Sequence, residues 1–136
     1  MSPVTHLLSG WLLANAAGLD CRGRMLVTLA SIAPDIDGFG FAPELLTTHS
    51  ANPITWYSQY HHTFGHCLLF AGVAALIGAT AAPMARVRVL LFAFASVHLH
   101  LLMDLIGSGA PDGYRWPIPY LFPSREMLWS CQASGP

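Results

Sequence analysis

The chain has 136 residues, a formal net charge of −1 and a mean hydropathy of +0.49. Only 10% of its residues are charged and none is lysine, whereas an ordinary soluble domain carries roughly 25% charged residues. This composition predicts a protein that contacts the lipid bilayer over much of its surface. The near-neutral charge provides no basic face, so nucleic acid is excluded as a partner.

The first half of the chain predicts two short helices and a loop. The first helix runs from Thr5 to Leu19, and no basic residue precedes it, which favours a retained helix over a cleaved signal peptide. The second helix runs from Arg24 to Ala33 and stops before Pro34, because proline disfavours helical backbone in the residue before it. Residues 38–58 are rich in Gly, Pro, Thr and Ser and predict a long loop.

The second half predicts two longer helices. The third runs from about His61 to Ala82, Pro83 breaks it, and the fourth runs from about Arg86 to Ile106. At 1.5 Å per residue the third helix can cross a hydrocarbon layer of roughly 30 Å. The tail from Gly107 is rich in proline and is expected to form an irregular cover.

Together these elements predict an all-α fold: a small membrane-embedded up-down bundle of about four helices with an irregular C-terminal tail. The whole chain, residues 1–136, is expected to be one domain. The first two helices are short for full spans, so we expect them to be re-entrant or to pack against the other pair. A buried hairpin in a very apolar soluble protein is the alternative.

The two predicted helical hairpins each bring polar residues together at the open end. If the third and fourth helices turn near residue 84, His66 lies opposite residue 102, between His100 and Asp104. If the first and second helices turn near residue 22, His6 lies opposite residue 38, beside the two aspartates of the sequence APDID. In an up-down bundle both turns lie at the same end, so the two polar sets should meet.

Eight ionisable side chains are therefore expected at one end of the bundle: His6, Asp35, Asp37, His61, His62, His66, His100 and Asp104. Such groups are costly in lipid and usually functional, and the chain has no lysine to pair with them. Neutral imidazoles and carboxylates are ligands of zinc at roughly 2.0–2.2 Å, and more than four of them indicate more than one ion. The alternative is a set of ion pairs and hydrogen-bonded core histidines, which is what we expect for His98.

The arginines sort to the opposite end. Four of the six lie at the two predicted turns: Arg22, Arg24, Arg86 and Arg88. Loops rich in arginine prefer the cytoplasm, so we expect a multi-pass chain whose metal site faces outward. Arg115 and Arg125 lie on the other side in this tracing and weaken the bias.

Five short motifs follow one another in an order shared with a known family. They are THLLSG from Thr5, APDID from Ala33, the pair His61-x4-His66, HLLMDLIGSG from His100, and WP at Trp116. In this order the chain resembles the LexA-regulated, membrane-bound metal-dependent hydrolase family of bacterial and archaeal inner membranes. That family is similar in motif order to the zinc-dependent phospholipase C and single-strand nuclease superfamily, which is all-helical and multinuclear.

The resemblance implies a location in the inner (plasma) membrane and a set of metal ligands: His6, Asp35, His61, His66, His100 and Asp104. It implies for Asp37 a role as ligand or as a base that orients water, and for Trp116 packing at the membrane interface. The middle motif departs from the family, since His62 stands where the family has arginine. His62 is then a phosphate contact, an acid, or a ligand in place of His61.

The leading prediction is a membrane-bound metal-dependent hydrolase of phosphoester bonds, in which Asp37 and His62 are catalytic and metal activates water. The substrate is a small-molecule or lipid phosphoester, with phospholipid headgroups as one candidate. Two other classes stay open: a non-catalytic metal-binding or transport membrane protein, and a di-iron oxidase. Acidic residues among the ligands argue against haem. The sequence leaves the metal identity, the substrate and the oligomeric state open.

Overall fold

A computed structural model describes residues 2–107, 117–122, 124 and 128–129. The elements in chain order are α1 (Pro3–Ala16), α2 (Cys21–Ala30), a 3-10 helix (Ala33–Gly40), α3 (Phe41–Thr47), α4 (Trp56–Tyr60), α5 (Leu68–Ala81) and α6 (Arg86–Gly107). Two short strands, β1 (Pro117–Ile118) and β2 (Leu128–Trp129), pair antiparallel. Apart from this short ladder the described chain is helical, and the predicted all-α class is confirmed.

The helices α1, α2, α5 and α6 form the bundle, with α1 against α2, α5 against α6, and both α1 and α2 against α6. Small side chains fill its centre, among them the buried Ala14, Ala71 and Ala93. At Gly10 a methyl group would overlap Ser31 Oγ and lie 3.1 Å from Ser96 Oγ. Small residues at the contacts therefore set the close approach of the helices, as in membrane helix packing.

The two helical turns of the bundle lie at the same end. The guanidinium of Arg88, at the start of α6, donates to the carbonyl of Gly18, at the turn after α1, at 3.3 Å. This confirms the up-down arrangement. The second helix begins at Cys21 rather than Arg24, because the Asp20 carboxylate caps it by accepting a hydrogen bond from the Gly23 amide at 2.9 Å.

The prediction of one long loop over residues 38–58 is wrong, since this stretch contains the end of the 3-10 helix, α3 and α4. Polar side chains supply the hydrogen bonds that hold these short helices together. The Glu44 carboxylate accepts from the backbone amide and the hydroxyl of Ser58. Thr47 Oγ1 accepts from the Ile54 amide at 2.9 Å. The polar residues whose abundance predicts a loop here are therefore the ones that form these hydrogen bonds.

The predicted third helix also begins too early, because α5 starts only at Leu68. Gly65 packs so closely on the backbone of Pro34 that a methyl group would overlap the Pro34 carbonyl. His62 has a φ of 68°, which is left-handed backbone that a helix does not allow. With 14 residues, α5 is about 21 Å long, which is shorter than the predicted span.

Within the described ranges, α6 is the helix that is long and apolar enough to cross a membrane alone. The segment Ala33–Thr47 is long and apolar enough to cross a membrane only when it is taken together with α2. The two are bent by 46°, so the pair would be a broken span or a re-entrant loop. The described tail packs on the bundle, since the Leu68 amide donates to the Tyr120 carbonyl at 2.8 Å. Trp116 lies outside the described residues.

Candidate metal centre

Four separate stretches of the chain meet at the open end of the bundle. The first turn of α1 supplies His6, the 3-10 helix supplies Asp35, and α6 supplies His100 and Asp104. The turns before α5 supply His62 and His66. His6 and His100 are fully buried, and Asp104 is 2% exposed.

The first group consists of His6, Asp35, His100 and Asp104, whose ligand atoms all lie within 4.8 Å of one another. His6 Nε2 is 3.2 Å from Asp104 Oδ1. His100 Nε2 is 3.1 Å from Asp104 Oδ2 and 3.6 Å from Asp35 Oδ1. The rings of His6 and His100 stack with their centroids 3.7 Å apart, so an imidazole from α1 lies directly against one from α6.

The second group consists of His62, His66 and Asp104, again with ligand atoms within 4.8 Å of one another. His66 Nε2 lies 3.3 Å and His62 Nε2 lies 3.9 Å from Asp104 Oδ2. His66 Nε2 is also 3.2 Å from His100 Nε2. The second group therefore adjoins the first, and the Asp104 carboxylate belongs to both.

The donor set could hold a metal ion. Four ligands placed tetrahedrally at about 2.0–2.1 Å from zinc are about 3.3–3.4 Å apart. In the first group the His6–Asp104, His100–Asp104 and His100–Asp35 separations are 3.2, 3.1 and 3.6 Å, and all four ligand atoms lie within 4.8 Å of one another. Among the described residues the buried His6 has no hydrogen-bond partner at Nδ1, and its Nε2 lies 3.2 Å from Asp104 Oδ1 without the geometry of a hydrogen bond. An unsatisfied buried imidazole is costly, and a cation at Nε2 would offset part of that cost.

The backbone of Ser31 orients one of the imidazoles. Its carbonyl accepts a hydrogen bond of 2.6 Å from His100 Nδ1. A carbonyl only accepts, so Nδ1 carries the proton and Nε2 presents its lone pair to the cluster. Sequence reasoning missed this contact, because the backbone of any residue type could provide it.

The turn before α5 holds one neutral and one proton-binding imidazole. Burial, together with the imidazoles of His66 and His61, lowers the pKa of His62 to about 3. Burial also opposes a charge on His66, but its hydrogen bonds to Asp104 and Asp37 outweigh this and raise its pKa. His62 is therefore in the neutral form that metals require, whereas at His66 a bound cation would replace a proton.

Asp37 and His61 contact the cluster from outside both groups. Asp37 Oδ1 is 2.9 Å from His61 Nδ1, and Asp37 Oδ2 is 3.6 Å from His66 Nδ1. The His61 ring stacks on Tyr57 at 4.4 Å. All eight predicted side chains thus come together. His62 belongs to one of the two groups that could hold a metal ion, whereas Asp37 and His61 lie next to that group. The chemical roles of all three stay predictions.

His98 lies outside the cluster although it is close to His100 in sequence. Its Nδ1 is 2.8 Å from the Phe94 carbonyl and its Nε2 is 2.8 Å from the Tyr120 hydroxyl. Both ring nitrogens are hydrogen-bonded, as expected for this residue. The contact ties the described tail to α6.

A groove of about 780 Å³ opens beside the cluster, between the end of α2, the 3-10 helix, α3 and α4. We refer to it as the apolar groove; its wall includes Leu29, Ile32, Ile36 and Phe39, with Asp35 and His61 as polar members. Asp35 therefore belongs both to the first metal group and to the groove.

The comparisons with known proteins give a family. The family model described as YdjM inner membrane protein matches residues 1–132. No curated protein and no solved structure matches the chain. The matched range contains all of the cluster residues.

Proposed function

Because this chain belongs to the YdjM inner membrane protein family, we propose that it is a multi-pass membrane hydrolase that uses divalent cations to cleave phosphoester bonds. The observation that carries this proposal is the position of the Asp104 carboxylate, which is shared by two adjoining groups of buried imidazoles. The resemblance of the five sequence motifs to metal-dependent hydrolases supports the reaction class. The arginine-rich turns support a metal site that faces outward.

Each of the two groups would hold one metal ion. In the proposed arrangement His6, Asp35 and His100 hold one ion together with Asp104. His62 and His66 hold a second ion together with the same carboxylate. Zinc suits this mixture of imidazole and carboxylate best. When bound, such cations polarise phosphoryl oxygens and lower the pKa of a water molecule.

His61 and Asp37, which lie outside both metal groups, are assigned to proton transfer. Asp37 Oδ1 accepts the Nδ1 proton of His61 at 2.9 Å, which makes Nε2 the basic nitrogen of that ring. His61 also lies in the wall of the apolar groove, where a substrate can reach it. We assign the His61–Asp37 pair to proton transfer: it accepts a proton from the attacking water and returns it to the alcohol oxygen as the phosphorus–oxygen bond breaks.

The proposal is tested by metal content and turnover in one preparation. The protein is purified in detergent, its metals are determined by elemental analysis, and phosphodiester and phospholipid hydrolysis is assayed. His100→Ala should lose metal and turnover, whereas His98→Ala on the same helix should keep both, because His98 lies outside the cluster. Metal-loaded protein that is inert on a broad ester panel would refute the hydrolase.

The same preparation distinguishes the two other classes. Fast reversible exchange of the bound metal, without turnover of any ester, would identify a metal-binding or transport protein. Bound iron and visible colour would identify a di-iron protein. Retained zinc with phosphoester turnover is the outcome expected from the proposed function.

A further inference from the structure

The apolar groove is continuous with the metal cluster. The Asp35 side chain belongs to the first metal group and also lines the groove, and His61 lines it beside the second group. A molecule lying in the groove therefore has one end within reach of the cluster. The volume of about 780 Å³ falls within the range of about 300–1,000 Å³ that is usual for small-molecule sites.

We propose that this groove binds the hydrocarbon tail of a membrane lipid phosphoester and thereby places the phosphoester group at the metal cluster. The choice of phosphoester as the reacting group rests on the proposed function. Binding of the tail rests on the groove itself. The substrate class is then an amphiphile drawn from the bilayer rather than a water-soluble phosphate ester.

The wall of the groove is mostly apolar. Away from Asp35 and His61 the groove is lined by aliphatic and aromatic side chains, including Leu29, Ile32 and Phe39. A sugar or nucleotide lying there would lose its hydrogen bonds to water without replacement, which is costly. A hydrocarbon tail gains free energy from the same burial. The wall and the cluster together match a ligand with one apolar end and one anionic end.

The rim of the groove carries exposed apolar side chains. Ile36 is 61%, Phe39 is 79% and Phe41 is 53% exposed. In an inner membrane protein, exposed apolar side chains of this size face lipid at lower cost than water. A tail can therefore pass from the bilayer into the groove along a continuous apolar surface.

Ring contacts connect the wall of the groove to the proton-transfer pair. Tyr57 stacks on His61 with ring centroids 4.4 Å apart and meets Phe41 edge-to-face at 5.4 Å. Phe41 lines the groove as well. Groove occupancy and the position of the His61 ring are thus linked through two ring contacts.

The kinetic test uses p-nitrophenyl ethyl phosphate and p-nitrophenyl hexadecyl phosphate, which share the same phosphorus centre and leaving group. Wild-type protein in nanodiscs should hydrolyse the hexadecyl ester with a kcat/KM roughly tenfold or more above that of the ethyl ester. Leu29→Trp, which fills the groove at a half-exposed position, should bring the hexadecyl-to-ethyl ratio of kcat/KM close to one. The matched control is Leu12→Trp, at an exposed leucine of α1 outside the groove.

A second measurement reports the tail without any turnover. Phosphatidylglycerol with a diazirine on one acyl chain is photolysed in the same nanodiscs, and the labelled residues are mapped by mass spectrometry. Labelling should concentrate at Ile32 and Phe39, exceed that of the exposed Leu76 on α5, and fall in Leu29→Trp but not in Leu12→Trp. Labelling of the groove without hydrolysis of any ester would refute the hydrolase and support tail binding.

Two results would overturn tail binding. The first is hydrolysis with equal kcat/KM for both esters together with groove labelling no higher than at Leu76, which would leave the proposed hydrolase intact. The second is a groove covered by a second copy of the chain. In that case Leu29→Trp would convert an oligomer to a monomer by light scattering, without any change in lipid labelling.

Discussion

His100 and Asp104 lie one turn apart on α6, and His100 Nε2 approaches Asp104 Oδ2 to 3.1 Å. The spacing i, i+4 places both side chains on one face of the helix, so a single rigid element fixes the carboxylate and one imidazole of the cluster. The other donors are brought to this pair by three further stretches of chain.

Asp104→Asn should remove metal from both groups, because this carboxylate is the member they share. We expect zinc affinity to fall by at least about 100-fold, beyond the 10–100-fold that loss of an outer partner costs. Bound metal is measured by elemental analysis after dialysis against a weak chelator. Asp20→Asn is the control, since asparagine caps α2 as well as aspartate does. Full metal content in Asp104→Asn would show that the carboxylate is not a ligand.

His62→Arg restores the residue type of the resembling family and separates the roles left open for His62. If His62 is the third donor of the second group, the variant should lose part of its metal and most of its turnover. His49→Arg, at an exposed histidine that belongs to neither metal group, should change neither. Unchanged metal with equal or higher turnover would instead make residue 62 a phosphate contact.

Asp37→Asn should keep the metal and lose turnover. Asp37 holds His61 and His66 by their Nδ1 atoms from outside both groups, so its loss should weaken metal binding only as an outer partner does, by about 10–100-fold. Loss of the oriented proton-transfer pair should lower kcat by about 100-fold or more. At saturating zinc the two effects separate. Stoichiometric loss of an ion at saturation would make Asp37 a direct ligand.

Gly10→Ala should destabilise the bundle by about 1–3 kcal/mol, the usual cost of overpacking, because the added methyl group overlaps Ser31 Oγ. Gly72→Ala is the control, since nothing lies within 4 Å of a methyl group there. Alanine favours helix over glycine by about 1 kcal/mol, so this second variant should be stabilised. Thermal unfolding in detergent measures both. Equal unfolding temperatures would contradict the close contact between α1 and α2.

Much of the cluster follows from the sequence because it depends on two turns. The break at Pro83 sets the register of α5 against α6, and this register predicts the meeting of His66 with His100, which lie 3.2 Å apart. The same reasoning at the first turn predicts that His6 lies near Asp35. Such pairings need only antiparallel helices and the position of a turn.

The path of residues 61–67 could not be predicted in the same way. Their apolar and small residues suit a helix, but Gly65 packs on the Pro34 carbonyl and His62 takes left-handed backbone. That contact is tertiary and has no local signal. The hydrogen bond from the Ser58 amide to Glu44 likewise joins residues that no helical period relates. For this reason α3 and α4 could not be predicted from a composition that is typical of loops.

The distribution of the donors along the chain also constrains biogenesis. His6 lies in the first helix of the bundle, and Asp104 lies near the end of α6. A nascent chain therefore carries three donor histidines, His6, His62 and His66, well before the shared carboxylate is synthesised. Neither metal group is complete until α6 has been inserted. With the proposed metal binding, cation capture would therefore be a late step of assembly, and it would distinguish finished molecules from truncated ones.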